Sequence, residues 1–279
     1  MISGTRFRLN LEIGRQTRLA QEIARGQTEI ATGKRILAPS DDPIGAARVS
    51  ELGRAQANED AWARNVETAA ALAARSETTL FSVETRIDRA KELMLAASSA
   101  TLSADNRAVI ADELRGIAEE IGALRTTLDA RGEPLFRTTA ALEIPVGPGV
   151  RIAAVATRAE VFDSPVDIVA TIQAAAAAAV EPDPATRSAA VTASLAAIDE
   201  ASDQVINAHA DQGVRAARLE RIREAFASSG LLLEEQKSEI EGTNVTETVA
   251  RIQSRLLNLQ AAQAIFARVN SRSLFDLIR

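Results

Sequence analysis

A reaction centre in this chain would have to be built from its single histidine, His209, and from a pair of adjacent carboxylates, Asp41 and Asp42. His209 with Asp211 beside it has the groups of a general base or a metal ligand, but either role needs partners. The chain has no second histidine and no cysteine, which removes the nitrogen and sulfur ligands of a zinc set, any thiol nucleophile and any disulfide framework. Two neighbouring aspartates without further oxygen ligands fall short of the six to eight that calcium takes. Gly147-Pro148-Gly149 matches neither a phosphate-cradling loop nor a dinucleotide fingerprint. The scattered serines make no triad with a histidine that falls in the middle of a helical pattern. These residue types point away from an enzyme and away from any metal or cofactor.

Asp41 and Asp42 are better explained by backbone geometry. In Ile36-Leu37-Ala38-Pro39-Ser40-Asp41-Asp42-Pro43, Pro39 biases Ala38 to an extended form, and Asp42 followed by Pro43 reads as a helix cap with proline at the first helical position. The turn motif is therefore Pro39, Ser40, Asp41, Asp42 and Pro43. It separates a first helix over residues 5–32, ended by Gly33 with Lys34 and Arg35 at its negative pole, from a second helical run.

The two ends of the chain carry the same pattern. Leu9, Ile13, Gln16, Ala20, Ile23, Gln27 and Ile30 step by threes and fours, as do Val249, Ile252, Leu256, Leu259, Gln263, Phe266 and Asn270. A repeat of about 3.5 residues is that of a coiled-coil seam, and a seam needs a partner. Each end is unfinished alone, and the two could finish each other. We read Leu9, Ile13, Ala20, Ile23, Ile30, Val249, Ile252, Leu256, Leu259 and Phe266 as assembly positions.

Between the ends lie long helices. The heptad spacing runs from Trp62 through Val83 to Met94; a third helix follows Ser103 and Asp105 and stops near Gly132. Trp62 is read as core, because no second aromatic lies near it in sequence to make a stacking platform. Residues 141–146 and 150–155 change to strand-like runs around Gly147-Pro148-Gly149, with Val161-Phe162 as a candidate third strand. Such a hairpin must pack on a rod end or on a neighbouring copy. Asp163 or Ser164 with Pro165 restarts helix, the alanine run 174–179 supplies easy helicity, and a last long helix runs from Pro184 to Gly242-Thr243-Asn244. The expected fold class is mainly α, an elongated bundle of long coiled-coil-like helices with a small β-containing insert. The expected divisions are an assembly helix and turn (1–42), rod helices (43–130), a small β-rich insert (131–165), further rod helices (166–243) and a C-terminal assembly helix (244–279).

One tryptophan, no tyrosine and seven phenylalanines indicate thin cores between closely approaching helices. The net charge of −6 argues against nucleic acid as the main partner. The ends are nevertheless basic, with seven Lys/Arg against three Asp/Glu in residues 1–35 and five against two in 246–279. The excess acid lies in the middle. A membrane span is not expected, as no window reaches the roughly 18 apolar residues one needs, and no cleaved signal peptide is expected either.

Gln27 to Pro43 (Q-T-E-I-A-T-G-K-R-I-L-A-P-S-D-D-P) resembles the start of bacterial flagellar axial proteins of the flagellin-like family, and its P-S-D-D-P form is similar to the members at the hook-filament junction. Ala208 to Leu219, Ile240 to Ala250 and the Leu259 to Leu277 stretch ending in S-L-F-D-L resemble the C-terminal half of the same family. The small insert and Ile2 depart from the junction pattern, and Leu277-Ile278-Arg279 resembles filament flagellin. The resemblance implies a structural subunit joining the hook, through the other hook-associated protein, to flagellin. Its partners would be copies of itself, those two proteins, an export chaperone and the flagellar type III secretion apparatus. It would be extracellular, in the flagellum, exported from the cytoplasm without a cleaved signal peptide. The alternatives are a filament flagellin, or a free-standing coiled-coil adaptor or membrane-surface scaffold using its basic ends.

Overall fold

The computed structural model describes the backbone of residues 2–275 and the side chains of Phe7 and of residues 10–268. In chain order the elements are α1 (Ile2–Thr32), α2 (Pro43–Ala97), α3 (Ala104–Arg125), β1 (Glu143–Gly147), β2 (Val150–Ala153), a π-helical turn (Ala159–Asp163), α4 (Ile168–Ala179), α5 (Pro184–Glu241) and α6 (Val245–Phe275). The fold is mainly α with one small sheet. It divides into two compact units, residues 1–57 with 230–279 and residues 58–229. Both α2 and α5 contribute to each.

The starts of α2 to α6 are each written in a short polar side chain. Asp42 accepts from the Gly45 amide at 2.9 Å, Ser103 from Asn106 at 3.2 Å, Asp167 from Ala170 at 3.0 Å, Asp183 from Thr186 at 2.8 Å and Asn244 from Glu247 at 3.2 Å. Those side chains satisfy amides that have no partner within the helix. Pro43 and Pro184 take the first helical positions, where a missing N–H is harmless.

In the unit 58–229, α2, α3, α4 and α5 close around Val66, Leu80, Val83, Ile87, Met94, Leu114, Ile121, Ile172, Ile198 and Leu219. Alanines 175, 176, 178 and 179 are buried, and α4 packs on α3. The alanine run is thus part of the packed core, beyond supplying helicity. Trp62 does have an aromatic neighbour, supplied by α5: Phe226 stacks on it with ring centroids 6.3 Å apart.

Four sequence expectations need correction. The third helix stops at Arg125 and not near Gly132, because Leu135 donates back to the Thr127 carbonyl and Asp129 gathers the amides of Arg131 and Glu133 into a turn. Val161-Phe162 is no strand. Two apolar residues do not define a period, and here they sit in the π-helical turn, with Phe162 packed edge-on against Phe136 and Gln204 accepting from the Val166 amide while donating to the Val161 carbonyl. The next helix is capped by Asp167, later than Asp163 or Ser164. Finally, Ala159–Ala179 does reach a mean hydropathy of 1.2 over 18 residues, within the range of a membrane span. The stretch is interrupted between the π-helical turn and α4, and α4 is occupied in the core.

The hairpin pairs Ile144 with Ile152, both buried, and Pro145 with Arg151. It lies against the flanks of α2 and α5 and not on a rod end. Asn65 donates to the Pro145 carbonyl at 2.9 Å, and the buried Gln212 donates to the Ala154 carbonyl at 2.9 Å.

Candidate assembly interface

The unit formed by residues 1–57 and 230–279 brings the two ends of the chain together. Gly33 ends α1 in the left-handed region, with φ of 69°, and the chain then pairs with the end of α5. Arg35 donates its amide to the Glu241 carbonyl at 2.6 Å, Thr243 donates to the Gly33 carbonyl at 3.0 Å, and Lys34 Nζ lies 3.0 Å from Glu241. Gly242 is forced here, since a Cβ would lie 2.3 Å from the Ser238 carbonyl oxygen.

The turn motif is held by its aspartates. Asp41 accepts from the Leu37 and Ala38 amides at 3.0 Å each and pairs with Arg25 at 2.8 Å. Asp42 caps α2 and also meets Arg35 at 3.2 Å. The Ala38 amide chiefly holds the Asp41 carboxyl below the ordinary carboxylate range, and the Gly45 amide does the same for Asp42. Pro39, Ser40 and Pro43 are exposed. Among the described residues no cluster of three His, Cys, Asp or Glu side chains could hold a metal ion.

From this turn, α1 and α6 run antiparallel and in contact. Ion pairs fix the direction: Arg251 meets Glu29 at 2.9 Å, and Arg255 meets Glu22 at 3.0 Å. Glu29 is only 7 % exposed and is also held by Arg25 at 3.2 Å. Gly26 sits at a close approach of the helices, for a Cβ there would lie 2.8 Å from Ile252. Thr248, 2 % exposed, accepts from Arg251 at 3.0 Å and lies 3.2 Å from the Thr243 hydroxyl.

The positions chosen from sequence divide into two groups. Ile23, Ile30, Ile252, Leu259 and Phe266 are buried or half-buried on the α1–α6 contact side. Ile13, Ala20, Val249 and Leu256 are exposed. Leu9 lies outside the residues whose side chains are described. The face in contact runs through Glu12, Gln16, Leu19, Ile23, Gly26 and Ile30 on α1 and through Thr248, Ile252, Arg255, Leu259, Ala262 and Phe266 on α6, all buried or half-buried. It shares every second column with the expected seam and is turned from it by about half a residue step, about 50°. Small side chains at Gly26, Thr248 and Ala262 let the helices pack in that rotation. Hydrophobic spacing alone missed them, because a glycine or threonine adds little to an apolar pattern; the charge columns Glu22/Glu29 and Arg251/Arg255 were the available signal.

His209, paired in sequence with Asp211, instead places Nδ1 3.1 Å from Glu84 of α2. It joins two helices of the core unit.

Comparison with known proteins gives first a class. Residues 14–141, from within α1 to the loop before β1, match the bacterial flagellin N-terminal helical region. Particular relatives follow. Over 108 residues the chain is 35 % identical to flagellar hook-associated protein 3 of Escherichia coli K12 and 36 % identical to the protein of that name from Salmonella typhimurium. The alignments cover 39 % of this chain and 34 % of each relative, so the match spans about a third of the curated relatives' length. Among solved structures, a Vibrio parahaemolyticus protein described as a flagellar hook-associated protein superposes with a TM-score of 0.67 at 22 % identity, covering 72 % of this chain and all of that one. Legionella pneumophila flagellar hook-associated protein-3 superposes with a TM-score of 0.62 at 13 % identity, over 69 % of this chain and 98 % of its own. At those identities the structural likeness speaks for the fold. The match over residues 14–141 includes the Pro39–Pro43 turn that carries the resemblance.

Proposed function

We propose that this chain is a structural subunit of the bacterial flagellum that joins the hook to the flagellin filament through packing of its terminal helices. The observation that carries the proposal is the α1–α6 pair, which uses one face of each helix within the chain and leaves Ile13, Val249 and Leu256 exposed beside it. Apolar side chains grouped at a surface are the material of an interaction site. Copies of the same chain would cover it, and head-to-tail contacts that do not close build tubes. The neighbours on either side would be the other hook-associated protein and flagellin. The subunit would be extracellular, exported from the cytoplasm by the flagellar type III apparatus with the help of a chaperone. The role is mechanical, and no catalytic group is required.

A second reading, filament flagellin, is favoured by the match of residues 14–141 to the flagellin N-terminal region. Deleting the gene separates the two. A junction subunit is needed in few copies but is indispensable, so the deletion should leave bare hooks, release flagellin to the medium and abolish motility, with recovery on trace expression. Filaments that persist in shorter or altered form would favour the flagellin reading.

A further inference from the structure

We infer that the Glu29–Arg251 and Glu22–Arg255 ion pairs determine which face of α1 and α6 is used within the chain, and so leave the more apolar side outside the contact. Each helix carries two overlapping seams that share Gln16, Ile23 and Ile30 on α1 and Ile252, Leu259 and Phe266 on α6. On one side of the shared column lie Ile13, Ala20 and Gln27, and Val249, Leu256 and Gln263. On the other lie Leu19 and Gly26 with Glu22 and Glu29 at the shoulder, and Thr248 and Ala262 with Arg251 and Arg255.

By apolar content alone the first side is the stronger choice for the intrachain contact. Ile13, Val249 and Leu256 would bury more surface than Gly26, Thr248 and Ala262. The structure takes the second side, leaving Ile13 48 % and Leu256 39 % exposed. What distinguishes the second side is charge. Arg251 and Arg255 of α6 reach carboxylates of α1 only in this rotation, and Glu29 is buried between Arg25 and Arg251. Turning either helix by half a step to bury Leu256 would pull these pairs apart and leave the Glu29 carboxylate with Arg25 alone. Of these groups Glu29 is the buried one, and a buried charge that must meet its partner acts best as a specifier of register, whatever its net stabilisation.

The chain has no cysteine, so one introduced thiol reports one position. In the monomer, Val249→Cys and Leu256→Cys should react rapidly with a maleimide, and Thr248→Cys slowly, in proportion to the fraction of time the contact is open. Adding Glu29→Lys or Glu22→Lys should reduce the contrast between positions 248 and 256 by about tenfold or more. The charge-swapped pairs Glu29→Lys with Arg251→Glu, and Glu22→Lys with Arg255→Glu, should restore it. Circular dichroism shows that the helices persist in the variants compared. Contrast that survives both single charge reversals, or that neither swapped pair restores, overturns the inference. Because the readout is taken on the monomer, it stands or falls separately from the flagellar role.

Discussion

Gly26 lies at a close approach of α1 to α6, and its lack of a side chain permits it. A Cβ there meets Ile252 at 2.8 Å, and Ile252 is itself 8 % exposed with little room to yield. We expect Gly26→Leu to destabilise the pair by about 1–3 kcal/mol, the usual range for an overpacked contact. Hydrogen exchange checks this: amides around Ile23 and Ile252 should lose protection, while those around Val83 and Ile198 in the other unit should keep theirs. Equal loss in both units would mean that the contact is not local. The turn aspartates give a pH signature. With their folded carboxyls held below the ordinary range, their stabilisation is fully present above about pH 4 and is lost as pH falls through the folded values. Asp41→Asn and Asp42→Asn should therefore melt below wild type at neutral pH and converge with it in strong acid. A gap that is constant with pH would contradict the assignment. These aspartates were legible in the sequence because capping is local chemistry. The burial of Glu29 was not, since only Arg25 lies near it in sequence and Arg251 comes from the other end of the chain.

Elements were legible where their signals are periodic or punctuated. The helix starts at Pro43 and Pro184, the end at Gly33 and the hairpin about Gly147-Pro148-Gly149 all follow from residue types that few backbones tolerate elsewhere. The rotation of α1 against α6 was not legible from apolar spacing, because two seams share a column and only the charges separate them. Nor was the π-helical turn, whose backbone groups depend on Gln204 from α5. Gln212, eight residues later on α5, binds the end of the hairpin in the same way. Gln212→Leu leaves the Ala154 carbonyl without its donor, and we expect a loss of about 1–3 kcal/mol, the typical penalty of an unsatisfied buried polar group. Denaturant titration together with exchange at residues 150–156 measures it. Unchanged protection there would show that apolar packing alone seats the hairpin.

At the scale of the whole molecule, the apolar face that the α1–α6 pair leaves open should matter to assembly and hardly to folding. Leu256→Asp, at an exposed position, should change monomer stability by less than about 0.5 kcal/mol and yet block incorporation into flagella. Ile252→Asp, at a buried one, should disrupt the α1–α6 pair itself, because an unpaired carboxylate there must be desolvated. If Leu256→Asp assembles normally, that face is not an assembly surface. The central claim, a subunit at the boundary between hook and filament, is tested most directly by immunogold labelling of intact flagella with antibody against this chain. The account predicts gold confined to the hook-filament boundary. Gold distributed along the length of the filament would contradict it.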